Sequence, residues 1–293
     1  MDELALLGRF LPTLHSGPDT VVGPGDDCAA VDCGGSRLLL AAADHLIAGI
    51  HYLRQETDPS LAGAKLFNRN ASDIAAMGGT PRWALLTLAA NGCPEDELLA
   101  FAQGTAQAAE KCGAFLIGGD IAALPEPGLS ASLTILGMVK KEEILCRKGA
   151  KAGDLLCVTG VIGNAYHSGH HLTFTPRLKE GRFLAENHLA SAMLDISDGL
   201  LLDAARLAEM SQVQLILDPA KVPLRAGAGL PEALSDGEDY ELLFTVPQEQ
   251  LGKLSGSMDF TVIGEVRPGE PGVFGPDGEN LLTGKTGYEH GKL

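Results

Sequence analysis

Short apolar runs, several of them ending on an acidic residue, punctuate this chain. Residues 37–43 (RLLLAAA) run into Asp44, residues 115–117 into Gly118-Gly119-Asp120, and residues 192–196 carry Asp195 near their end. Uniform apolar runs of this length, bounded by turn residues, read as buried strands, so the pattern predicts strands that deliver carboxylates at their ends. Residues 83–90, 129–139, 154–159, 213–217, 240–245 and 260–266 read as further strands. Between them, Asp58-Pro59 pairs a helix cap with a first-turn proline and opens a helix through about Ala76, which Gly78-Gly79 stops. Pro94-Glu95-Asp96-Glu97 opens a second helix ending near Gly113, and a third covers about residues 200–210. Residues 167–179 carry three histidines and little periodicity, and read as a loop or a frayed helix.

Strands alternating with helices predict an α/β (α+β layer) architecture. At 293 residues the chain exceeds one typical domain. The polar joint Lys148-Gly149-Ala150-Lys151-Ala152-Gly153 divides it into an N-terminal sheet domain, residues 1–147, and a C-terminal α/β domain, residues 148–293. A formal charge of −16 argues against nucleic acid and anionic membranes as partners, but not against a nucleotide carried with Mg²⁺. None of the six cysteines pairs as Cys-x-x-Cys. The start, Met1-Asp2-Glu3, does not resemble a signal peptide, and no uncharged run is long enough to span a bilayer. A cytoplasmic protein with reduced thiols is the expectation.

Candidate chemistry lies in the acids. Asp and Glu total 38 against 22 Lys and Arg, so basic side chains are too few to pair them all. Carboxylates beside apolar runs are costly to bury without a cation, and hard divalent ions with oxygen ligands supply one. Asp73 falls in the last turns of its predicted helix, facing the negative end of the dipole, which strengthens the metal reading. No P-loop, nucleophile elbow or His-Glu-x-x-His pair is present, so phosphate chemistry would run on carboxylate-held metals. Taken singly, each acid has a plain structural reading. Asp195 fits a strand-end turn, Asp198 a helix N-cap, and Glu238 with Asp239 a solvated turn. Cys28 reads as buried, and His167, His170 and His171 as a surface cluster rather than a metal face. His51 is either a core histidine or a substrate contact.

Together the motifs are more specific. Gly25-Asp26-Asp27-Cys28, Asp44-x-Leu46-x-x-Gly49-x-His51-Tyr52, Asn70-x-Ser72-Asp73-Ile74-Ala75-Ala76-Met77-Gly78, Gly118-Gly119-Asp120, Asp195-Ile196-Ser197-Asp198-Gly199-Leu200 and Gly237-Glu238-Asp239-Tyr240-Glu241-Leu242 occur in one order, with Gly287-Tyr288-Glu289-His290 at the end. The set resembles the thiamine-monophosphate kinases of the aminoimidazole-ribonucleotide-synthetase-like ATP-binding superfamily. The resemblance implies two α/β domains, a homodimer formed through the N-terminal sheets, and phosphorylation of thiamine monophosphate by ATP with several Mg²⁺ ions. It implies metal ligands at Asp27, Asp44, Asp73, Asp120, Asp195 and Asp198, of which Asp27, Asp73, Asp120 and Asp195 would be catalytic. It implies ATP contacts at Gly119, Asp120, Arg147 and Ser197, and acceptor contacts at His51, Glu238 and Tyr288.

The chain also departs from that family. Ala42-Ala43 precedes Asp44 where Ser-Thr is usual, and Ile121-Ala122 follows Asp120 where Thr-Thr is usual. Residues 169–190 are short for the family, and His45 stands where the family has no ionisable residue. Two rivals to the kinase stay open: a relative acting on another phosphorylated acceptor and, motivated by the four lost hydroxyls, a nucleotide-binding paralogue without turnover.

Overall fold

The computed structural model describes residues 3–288. In chain order the elements are α1 (Glu3–Phe10), β1 (Thr20–Val22), β2 (Ala29–Val31), β3 (Arg37–Ile47), α2 (Pro59–Ala76), β4 (Thr80–Asn91), α3 (Glu95–Lys111), β5 (Phe115–Ala123), β6 (Gly128–Lys140) and β7 (Asp154–Thr159). Then follow α4 (His170–Thr173), α5 (Leu178–Glu186), β8 (Ala192–Asp195), α6 (Leu200–Ser211), β9 (Gln214–Leu217), α7 (Leu230–Ser235), β10 (Leu242–Pro247), α8 (Leu251–Leu254), β11 (Phe260–Arg267) and β12 (Gly272–Phe274). The strands form two six-stranded sheets, ordered β1-β2-β3-β6-β4-β5 and β12-β9-β11-β7-β10-β8. Pairing is antiparallel except for β4 with β5 and β9 with β12. The expected two-part α+β layering is what forms. Among the described residues no helix is long and apolar enough to cross a membrane.

Two strands run further than their apolar runs predict. Arg37 through Ile47 pairs residue for residue with β6, so Asp44 lies inside β3, opposite Leu133, rather than at a strand end. Asp120 likewise sits inside β5, opposite Thr87. Pairing with a long neighbour supplies ladder hydrogen bonds whatever the side chain, which hydrophobicity alone does not reveal. Segment 167–179 resolves into the short α4 followed by the start of α5.

Helix α2 joins the two halves. Asp58 caps it by accepting from the Ser60 N–H at 2.8 Å, and Pro59 takes the first turn, where a missing N–H costs nothing. Leu66, Phe67, Ala71 and Ile74 enter the core of the first sheet. Ala75 and Ala76, one turn on, pack with Leu184, Ala185, Met193 and Phe244 of the second domain. Small residues let the helix end approach closely. Whatever occupies this last turn is therefore held between the two sheets.

Candidate active site

Three carboxylates meet at that junction. Asp27 comes from the turn before β2, Asp73 from the last turn of α2 and Asp195 from the end of β8, and their oxygens lie within 4.8 Å of one another. The turn carrying Asp27 is anchored beside α2, since the Cys28 N–H points at Met77 Sδ at 3.1 Å. Ser72 donates to Asp195 Oδ2 at 2.5 Å, tying β8 to α2. Asp27 Oδ2 is buried without a hydrogen-bond partner among the described residues. Burial first, then repulsion from Asp44, Asp195 and Asp27, pushes the Asp73 carboxyl well above the usual range. Asp195 rises for the same reasons, burial and then Asp27. An orphaned buried oxygen among three mutually repelling hard donors fits a divalent cation of the Mg²⁺ type.

Ion pairs frame this group. Arg147 donates to Asp27 Oδ1 at 2.6 Å, while its backbone N–H reaches both oxygens of Asp26 at 3.2 Å. Burial and the Asp27 charge push Asp26 up to about 6. After β8 the chain turns through Ser197, Asp198 and Gly199, whose three N–H groups all donate to Asp203 Oδ2 at 3.0–3.1 Å. Arg206 bridges Asp198 and Asp203 at 2.6 Å each. Asp203 on α6, not Asp198, therefore organises this turn and the start of the helix. On the first sheet, Arg69 Nε donates to Asp44 Oδ2 at 2.8 Å.

Next to the acids lies a cavity of about 310 Å³, bordered by His51, Arg69, Ser197, Glu238, Tyr240 and Tyr288 among others. Ser197 and Asp198 border it too, so the turn after Asp195 leads from the acid group to the cavity wall. Behind the wall, Lys65 is fully buried and donates to Glu238 Oε2, to the His51 carbonyl at 2.7 Å and towards His171 Nδ1 at 2.8 Å. Burial pushes the Lys65 ammonium down to about 8 although Glu238 opposes this. For Glu238, burial is outweighed by the bonds from His171 and Lys65, and its carboxyl falls to about 2. A carboxylate so fixed presents a permanent negative charge to the cavity. Tyr288 Cα is held because its N–H donates to the Asp198 carbonyl at 2.8 Å, while its side chain stays 46 % exposed.

Residues 25–139 match the N-terminal domain of the AIR synthase related proteins, and residues 145–275 the C-terminal domain. Thiamine-monophosphate kinase of Escherichia coli O157:H7 is 33% identical over 323 aligned residues, 98% of each chain. That of Aquifex aeolicus is 34% identical over 306, 94% of each. A solved structure, AaThiL complexed with AMPPCP and TMP, superposes with a TM-score of 0.86 at 31% identity, covering 99% of this chain and 97% of that one. The chain belongs to the thiamine-monophosphate kinase family. Hydrogenase maturation protein HypE, at 16% identity and a TM-score of 0.69, shares the fold alone.

Against what membership in the thiamine-monophosphate kinases implied from sequence, the structure groups the residues unevenly. Asp27, Asp73 and Asp195 come together, with Arg147 on Asp27. His51, Ser197, Glu238 and Tyr288 border one cavity. Asp44 and Asp198 are each engaged by an arginine. Asp120 and Gly119 stand apart. Asp44 pairs with Leu133, Leu133 with Leu86, and Leu86 with Gly119, so β5 lies three strand spacings, about 14 Å, across the sheet from Asp44. Gly119 has a structural reason of its own: a Cβ there would meet the Leu86 carbonyl oxygen at 1.6 Å.

Several plain readings of single residues need correction. Glu238 and Asp239 are not a solvated turn, because Asp239 is buried against the Gly163 N–H and Arg225. The histidines are not a surface cluster, because His171 is buried and stacks on Tyr166 at 4.4 Å. Cys28 is buried as expected, and all six cysteines are free. Lys65, Arg69, Asp203 and Arg206 escaped the sequence reading. The one available signal was Lys65 and Arg69 lying eight and four residues before Asp73, on the same face of an otherwise apolar helix. Glu289 and His290 of the terminal motif lie outside the described residues.

Proposed function

We propose that this protein transfers the terminal phosphoryl group of ATP to thiamine monophosphate, yielding thiamine diphosphate and ADP. The observation that carries this reading is the buried Asp27–Asp73–Asp195 group, with its orphaned oxygen, one turn of chain away from a cavity of acceptor size. The relatives' names and the neighbour complexed with AMPPCP, an ATP analogue, and TMP support it. A phosphate oxygen of the acceptor attacks the γ-phosphorus, the bond to the β–γ bridging oxygen breaks, and the electron pair leaves on ADP. That acceptor oxygen is already ionised, so no strong general base is needed.

Mg²⁺ held by Asp27, Asp73 and Asp195 would supply positive charge between the two anionic substrates. Asp44 and Asp198 would join that ligand set only by giving up their arginines. Arg147 and Ser197 face the nucleotide in this reading. Glu238, kept ionised, offsets the acceptor's thiazolium charge, Tyr288 offers its ring face to the same cation, and His51 borders the same cavity. We assign residues 1–147 and 148–293 to the two domains, and a cytoplasmic location.

Gly119 and Asp120 would reach a site only across a homodimer. Strand β5 is the sheet's outer strand and carries Phe115, Ile117 and Ile121 largely exposed, the last at 81 %. An unpaired apolar edge of this kind favours burial against a second copy, which would bring Asp120 towards that copy's acids.

The test is ADP release and thiamine diphosphate formation on mixing the protein with ATP, Mg²⁺ and thiamine monophosphate. ATP binding without product would sink the kinase and favour a paralogue that binds nucleotide without turnover.

A further inference from the structure

The cations around this site are not equivalent. Arg147 is committed to Asp27, Arg206 to Asp198 and Asp203, Lys65 to Glu238, and Lys285 to Asp236 at 2.9 Å. Arg69 differs in position and in what it leaves open. It projects from α2 one turn before Asp73, on the face that carries Lys65 and Asp73, and its side chain is only 12 % exposed. Nε is fixed to Asp44 Oδ2 at 2.8 Å and Nη1 to the His45 carbonyl at 2.8 Å. Nη2 has no acceptor among the described residues, and Arg69 borders the cavity that also holds Glu238 and Tyr240. Two of the three guanidinium nitrogens are thus held by protein oxygens, and the third is left to donate at the border of the cavity.

A guanidinium with two nitrogens anchored and the third free to donate is suited to a phosphate oxygen, because a planar group already held in place loses little freedom on binding. The cavity needs such a group. Glu238 and Asp198 at its wall already hold Lys65 and Arg206, so neither of those cations is left for the phosphate of the acceptor. Desolvating that phosphate beside carboxylates is unfavourable without a fixed positive charge close by. Asp44 also acquires a definite task. In β3, with alanines at positions 42 and 43 that offer no side-chain oxygen, its carboxylate holds Arg69 in place.

We infer that Arg69, anchored by Asp44, is the residue that binds the phosphate of the acceptor in this chain. The inference rests on thiamine monophosphate being the acceptor, and it adds a specificity determinant: Arg69 distinguishes the phosphorylated acceptor from the free alcohol.

The experiment measures binding of thiamine monophosphate and of unphosphorylated thiamine by titration calorimetry, with AMPPCP and Mg²⁺ present so that nothing turns over. It compares the wild type with Arg69→Met, Arg69→Lys and Asp44→Asn. The wild type should prefer the phosphorylated compound. Arg69→Met should reduce that preference about tenfold or more while leaving thiamine itself bound within about twofold, a loss of about 1.4 kcal/mol carried by the phosphate alone. Arg69→Lys should retain part of the preference, since charge persists without the fork. Asp44→Asn should give an intermediate loss. Full preference in Arg69→Met, or an equal weakening of both compounds, would overturn the assignment. If Arg69→Met does not fold, Arg69→Lys decides, and unchanged preference there together with unchanged preference in Asp44→Asn overturns it. A wild type with no preference for the phosphorylated compound would instead bring down the acceptor assignment itself.

Discussion

Asp73, in the last turn of a helix packed on the first sheet, and Asp195, the last residue of a strand in the second, bring carboxylate oxygens within 4.8 Å of each other. The contact costs stability in the absence of a cation, since both groups are buried and repel. It places the proposed metal at the domain junction, where relative movement of the two sheets would alter its coordination.

Asp195→Asn should lower kcat about a hundredfold or more while leaving the protein folded. Mg²⁺ should raise the melting temperature of the wild type and barely that of the variant. The pH dependence has a defined sign. The folded-state pKa of Asp195 is raised, so without metal its contribution is most favourable in acid and is lost as pH rises through the folded value. The gap between variant and wild type, measured by melting in EDTA, should therefore move in favour of the variant with rising pH. A parallel pair of melting curves across pH would remove Asp195 from the buried group.

Glu238 should behave in the opposite direction. Its folded pKa is about 2 against an ordinary 4.5, so the stability it contributes is complete above about 4.5 and lost as pH falls towards 2. That difference corresponds to about 3 kcal/mol. Glu238→Gln should be less stable than the wild type at pH 7, and denaturant titrations should show the gap closing in acid.

Lys65→Met should destabilise the protein by about 3–5 kcal/mol, because a buried carboxylate loses its cation. Combining it with Glu238→Gln should recover part of that loss. A double-mutant cycle by urea unfolding checks the coupling, and additive losses would mean that the two groups do not act as a pair.

Tyr288→Ala should raise KM for the acceptor about three- to thirtyfold, the worth of one aromatic–cation contact, with KM for ATP little changed. Steady-state kinetics with each substrate varied in turn measure this. Equal shifts for both substrates would indicate that the tail only packs on α6, where the Leu202 N–H donates to the Thr286 carbonyl.

Ile121→Asp should convert the proposed dimer into monomers in light scattering and reduce kcat, with each domain still folded. Gly119→Ala should do the same through β5, at a cost of about 1–3 kcal/mol or more, because its Cβ meets the Leu86 carbonyl. A monomeric wild type of full activity would exclude Asp120 from any shared site.

The order of the acidic motifs, the limits of α2 and β7, and the two-part layering were legible in the chain, because caps, glycine stops and apolar runs are local signals. Asp58-Pro59 and Gly78 mark α2 without reference to anything distant. That Asp27, Asp73 and Asp195 share one site was suggested by their company but fixed only by folding, since they are contributed by a turn, a helix and a strand far apart in sequence. Partners were the hidden part. Asp203 gathering three N–H groups, Lys65 beneath Glu238 and Arg69 on Asp44 depend on which side chains long-range packing puts within hydrogen-bond reach, and no spacing rule along one chain encodes that distance. The sequence by itself determined the acidic motifs, their order and the local signals that start and stop α2. The tertiary structure decided which charges neutralise one another, because burial and proximity, the two things that set an ion's energy, are properties of the packed molecule.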